Sequence, residues 1–173
     1  MKMLLIGTGA AACVLLPGLA MAGSASFTVS ATTQPAISVS CSEDLNFGTV
    51  SVEPNNSEGT ITVDATSSAS ASGSNSDVYP ATSESGPAAC TITNSSGSDA
   101  TAQLSATSTS TSGAELSDIR LTDGDNFLSA DIMLGKASGI GNETVYIGGI
   151  LTIPADHVDW GTYSETITLT VTE

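Results

Sequence analysis

From residue 26 onward the chain alternates small polar with apolar residues in one run after another. A side-chain period of two is what a strand with one buried face requires. The runs are SFTVSA at 26–31, AISVSC at 36–41, GTITVDA at 59–65, ACTITN at 89–94 and ATAQLSA at 100–106. DIRLTD at 118–123, ADIMLGK at 130–136, TVYIGGILTIP at 144–154 and TYSETITLTVTE at 162–173 continue the pattern. Turn-forming clusters such as TNSSGSD and SGIGNE separate them. No segment sustains an apolar stripe at helical spacing, so the expectation is all-β, a mainly antiparallel β-sandwich. Aromatic residues make up only 4% of the chain, which leaves the core to Val, Ile, Leu and Ala. In the last run Ile167, Leu169 and Val171 alternate with threonines, and this terminal strand is expected to be built into the sandwich.

Two stretches break the pattern. Residues 66–86 (TSSASASGSNSDVYPATSESG) and 105–114 (SATSTSTSGA) offer mainly Ser, Thr, Ala and Gly. Such side chains bury little, so the first is expected as a long exposed loop, open to proteolysis near Val78 and Tyr79. The second is expected as a strand end running into a loop.

The amino terminus sets the compartment. Lys2 precedes an uncharged run to residue 22, and Ala20-Met21-Ala22 presents the small-x-small site that a signal peptidase cuts after. Residues 1–22 are therefore expected as a signal peptide; an uncleaved anchor fits Pro17 and the interspersed glycines less well. Cleavage leaves 151 of 173 residues, one domain's worth. It also leaves Arg120 and Lys136 against 18 Asp and Glu, a formal charge of −16. A nucleic-acid partner is excluded on that balance, and an anionic lipid surface would repel the chain. Cys13 departs with the signal, so Cys41 and Cys90 are the mature cysteines, in an oxidising compartment. A disulfide between them is the simplest reading, worth roughly 4 kcal/mol by loop closure; two buried free thiols are the alternative.

Catalytic chemistry finds little to work with. His157, the single histidine, stands in PADHVDWG, which reads as a turn before the terminal strand. One His and two paired cysteines do not make a zinc site. TDGDNF, with Asp123, Asp125 and Asn126, resembles part of a calcium loop without its later glutamate, and reads as a turn. No phosphate-cradling glycine loop is present. The expectation is a non-enzyme with no catalytic residue, no metal and no cofactor. Gly148-Gly149 inside an apolar run implies a bulge, a bend or close approach of another backbone.

Two patches carry a family resemblance: LNFGTVSVEPNNSEGTITVDA at 45–65 and VYIGGILTIPADHVDWGTYSETITLTVTE at 145–173. Leu45-Asn46-Phe47-Gly48, the Gly-Thr-Ile-Thr-Val strand, Gly148-Gly149 and Gly161-Thr162-Tyr163 resemble, in that order, the signatures of secreted bacterial pilin-like domains. The nearest are the spore coat protein U-like domain and domain of unknown function 4402; SASFTVSAT resembles the amino-terminal extension of the former. The resemblance covers about half of the mature chain and departs from it at 66–86 and at the Val171-Thr172-Glu173 terminus, where classical pilins carry a penultimate tyrosine. It implies an immunoglobulin-like sandwich, residues 40–173, preceded by an extension, residues 23–39. That extension would act as a donor strand, with Phe27, Val29 and Ala31 on one face, completing a neighbouring subunit. The implied function is a structural subunit of a surface fimbria, with other copies or homologous subunits as partners. A periplasmic chaperone and an outer-membrane usher would act during assembly in a Gram-negative-type envelope, and a surface receptor would be unidentified. The disulfide would bridge the sandwich edge. The alternative is a self-complete secreted β-sandwich with an adhesive or coat role.

Overall fold

The computed structural model describes residues 28, 30–31, 33, 36–82, 84–95 and 100–173. The chain divides into two units, Met1–Thr33 and Gln34–Glu173. The described residues of the first carry no regular secondary structure. The expected signal peptide, together with Phe27 and Val29 of the expected donor strand, lies outside the described residues; Ala31 is described, in irregular backbone.

The second unit is all-β. Its strands are β1 (Ser38–Glu43), β2 (Val50–Val52), β3 (Gly59–Val63), β4 (Ser72–Gly73), β5 (Val78–Pro80) and β6 (Ala88–Thr93). The remainder are β7 (Thr101–Ala106), β8 (Ser112–Gly113), β9 (Glu115–Thr122), β10 (Phe127–Leu134), β11 (Thr144–Ile153) and β12 (Ile167–Thr172). All pair antiparallel, in a large sheet ordered β1-β6-β11-β10-β9 with β3 beside β11 and β4 beside β3, a small sheet β12-β7-β8, and the pair β2-β5. The described residues contain no helix and no closed barrel, an arrangement that fits a β-sandwich.

The alternation delivers the core, with one break of period in β9, where an irregularity around Asp118 (φ 55°) sets the buried Leu116 and Ile119 three residues apart. Ile61 and Val63 of β3, Leu104 of β7, Leu116 and Ile119 of β9, Ala130 and Ile132 of β10 and Leu151 and Ile153 of β11 are buried in one cluster. The intervening residues mostly face outward. A satellite cluster of Ile92, Ala100, Ala102, Ile140 and Val145 lies where β1 begins and β12 ends, with Ile37 and Val171 packed against it. β1 starts at Ser38, so the sheet takes up the last two residues expected in the extension.

Gly148 marks a change of partner. One edge of β11 pairs with β6 through residues 144–147 and with β3 through residues 149–153. A Cβ at Gly148, between the two, would stand 2.3 Å from the Val63 carbonyl oxygen, so close backbone approach accounts for this glycine.

Residues 66–86 correct an expectation. They are not a loop outside the core: β4 pairs with β3, β5 pairs with β2, and Val78 is fully buried, packed onto Gly59. Asn75 makes this fold possible by accepting the backbone N–H groups of Asp77 and Val78 at 3.1 and 2.9 Å while donating to the Glu58 carbonyl. A side-chain-capped turn of this kind needs few apolar residues. The second stretch behaves as expected up to Ala106 and then adds the two-residue β8.

Candidate functional site

Asn46 begins the site. Its backbone exchanges hydrogen bonds with Gly86 (2.9 and 2.8 Å), its side chain donates to the Glu84 carbonyl, and its Oδ1 accepts the Gly48 N–H at 2.8 Å. This Asx turn, closed by Gly48 at φ 76°, drives Phe47 into the core. There the ring fills the space left by Gly149, whose absent Cβ would lie 3.1 Å from Phe47 Cζ. Two motifs a hundred residues apart therefore form one packing contact.

The opposite wall is the chain from Pro154 to β12. Asn56, 2% exposed, clamps its start: Nδ2 donates to the carbonyls of Ser57 and Pro154, both 2.8 Å, and Oδ1 accepts the His157 N–H at 2.9 Å. Tyr163 Oη donates to the Asp159 carbonyl at 3.0 Å, and burial, with the carboxylates of Asp123 and Asp159 nearby, pushes its phenol up. Thr122 and Ser164 exchange backbone bonds of 3.0 and 3.1 Å, and Gly161 lies against Asp123, where a Cβ would meet Oδ2 at 2.6 Å.

Between these walls lies an open cleft of about 1010 Å³. Leu45, Phe47, Val50 and Val52 line one side, Tyr163, Ile167 and Leu169 the other, and core residues such as Ile119, Leu128 and Leu151 form the floor. No strand bridges it among the described residues. Among the described residues β12 has β7 as its only strand neighbour, so within them its other edge is left open on the cleft side. Ile167, Leu169 and Val171 are each half-buried and alternate with exposed threonines; the first two line the cleft and Val171 packs on the satellite cluster. Glu43, Asp44, Glu84, Asp159 and Glu165 stand around the opening, and no Lys or Arg lines it. Such a site suits an extended, apolar segment without acidic side chains.

Cys41 and Cys90 also line the cleft and are bonded. They face each other in register across β1 and β6, neighbours in one sheet, and the bond is consistent with an exported chain. His157 presents its ring to Trp160 and Tyr163 at 6.1 and 6.4 Å, and no hydrogen bond links its imidazole to a serine among the described residues. The Asp123–Asn126 segment is the β9–β10 turn: Asp123 Oδ1 accepts the N–H groups of Asp125 and Asn126, which hold its carboxyl below the usual range. Among the described residues no cluster of His, Cys, Asp and Glu could hold a metal ion.

The alternation announced β12 but not the cleft beside it, whose signal was LNFG and the glycine pair read together. No curated protein and no solved structure matches this chain. The sequence model described as Domain of unknown function (DUF4402) matches residues 37–172, from the residue before β1 to the end of β12 and through both walls of the cleft. The chain belongs to that family of domains of unknown function.

Proposed function

We propose that this protein is a subunit of a surface fibre, an immunoglobulin-like, pilin-like sandwich one strand short, completed by the amino-terminal extension of another copy. The observation that carries the reading is the open cleft beside the unpaired edge of β12. An edge strand over an uncovered apolar floor recruits a further strand, main-chain bonds fixing register and alternate side chains filling the floor. Residues 23–39 have the composition the cleft asks for: in a chain with 18 Asp and Glu, this stretch has no charged side chain. Phe27, Val29 and Ala31 would face the floor, and burying the first two contributes about 3–6 kcal/mol.

Until a donor arrives the cleft needs cover, which is the work of a periplasmic chaperone, with an outer-membrane usher ordering the exchange. The receptor, if the fibre is adhesive, is a surface ligand of a kind this site does not specify. Cell-surface extracts run in denaturing detergent test the reading. A ladder of multimers without boiling that collapses to monomer on boiling is the expected result. Monomer in both lanes would favour a self-complete secreted domain.

A further inference from the structure

The end of the body formed by the β9–β10 turn and the loop after β11 is the end that displays apolar side chains. Val158 and Trp160 are 73% and 69% exposed and Phe127 is 53% exposed. The Thr122–Ser164 bridge and the Asp123–Gly161 contact tie the two segments together, and Arg120 lies 3.7 Å over the Phe127 ring. The display is built, since Asn56 and Tyr163 fix the backbone that carries Val158 and Trp160. Trp160 also lines the mouth of the cleft. At the opposite end Ile37 and Val171 both pack against the Ile92 cluster, and this end, where β1 begins, is the root of the body.

We infer that Val158, Trp160 and Phe127 form a docking surface for a second copy of this chain, which rests the root end of its body, around residues 36–40, on them. The inference rests on the fibre reading and adds the contact between bodies. If residues 25–31 of the second copy occupy the cleft, residues 32–36 tether them to its body, and five residues reach at most about 17 Å. A body on so short a leash must touch the acceptor. Entry at the acceptor's root end would bring two roots together, a two-fold contact that closes after two copies, whereas a fibre needs a head-to-tail contact. Entry is therefore at the apolar end. Each mature body has a formal charge of −16, and like charges within a Debye length of about 8 Å repel. Contact there must draw on apolar side chains, which this end exposes at Phe127, Val158 and Trp160.

Photocrosslinking in the assembled polymer tests it. Trp160→p-benzoylphenylalanine and, separately, Val158→p-benzoylphenylalanine are made in the full chain, with the same replacement at Ser72, exposed on β4 away from this end, as the control. Irradiation of detergent-resistant polymer is expected to give covalent dimers that survive boiling from positions 158 and 160 and none from position 72, with the crosslinked peptide covering residues 34–40. A detergent-resistant polymer without such dimers, or with crosslinks to another region, overturns the docking surface and leaves the donor-strand reading standing. A wild-type chain that forms no detergent-resistant polymer overturns both.

Discussion

Glu165 ties the small sheet to the mouth of the cleft: its Oε1 accepts Thr107 Oγ1 at 2.5 Å and the Ser108 N–H at 3.0 Å. The Thr107 hydroxyl is the main reason its carboxyl sits below the ordinary 4.5, with the Ser108 bonds adding to it against a small opposing effect of burial. A carboxyl whose folded-state pKa is depressed adds stability that is present above the unfolded value and lost as pH falls through the folded one. Thr107→Val should therefore lower the melting temperature at pH 6, and the gap to wild type should close as the pH drops below 4.5 toward 3. Melting curves across that range check it; a gap that stays constant would mean the threonine acts by packing alone. Asp77, Asp123 and Glu143 are depressed by hydrogen bonds from Ser57, Asn126 and Lys136 respectively, and the same sign applies to them.

Among the elements, legibility followed the source of each strand's stability. β3, β6, β7, β9, β10 and β11 carry enough apolar residues on one face to be read from alternation, and all lie within a few residues of where the pattern puts them. β2, β4, β5 and β8 hold two or three residues each, too few for any period, and the Asn75-capped turn sets β4 and β5 in place. Val78 shows the difference, since one buried residue among serines pins a stretch whose composition suggests a loop. Limited proteolysis should spare the Val78–Tyr79 region while the domain is folded, and Val78→Ala should cost about 2 kcal/mol by cavity formation and make that region an early cleavage site. Early cutting of the wild type at Tyr79 would show that β5 is not held. The walls of the cleft were legible as motifs, LNFG, the glycine pair and GTY. Their convergence was not, because it depends on Phe47 meeting Gly149 and on Asp123 meeting Gly161 across the fold.

On the scale of the whole molecule, the proposed fibre reading joins two observations, the apolar floor of the cleft and an edge of β12 without a strand partner among the described residues, to the uncharged composition of residues 23–39. Mutating the supplier while keeping the acceptor separates donor from fold. Phe27→Asp with Val29→Asp puts two charges where an apolar floor waits, which is costly for assembly, yet leaves the cleft walls untouched. The measurement that tests the account most directly is the melting temperature of this double variant with and without a synthetic peptide of residues 23–39. A ligand of the native state at a hundredfold excess over its Kd adds about 2.7 kcal/mol, which for a domain of this size is a rise of roughly 5–10 °C. That rise, together with loss of detergent-resistant multimers in the variant, is the predicted result. No rise with the peptide, or a variant that still forms the wild-type ladder, would contradict the claim that the cleft is completed by this segment.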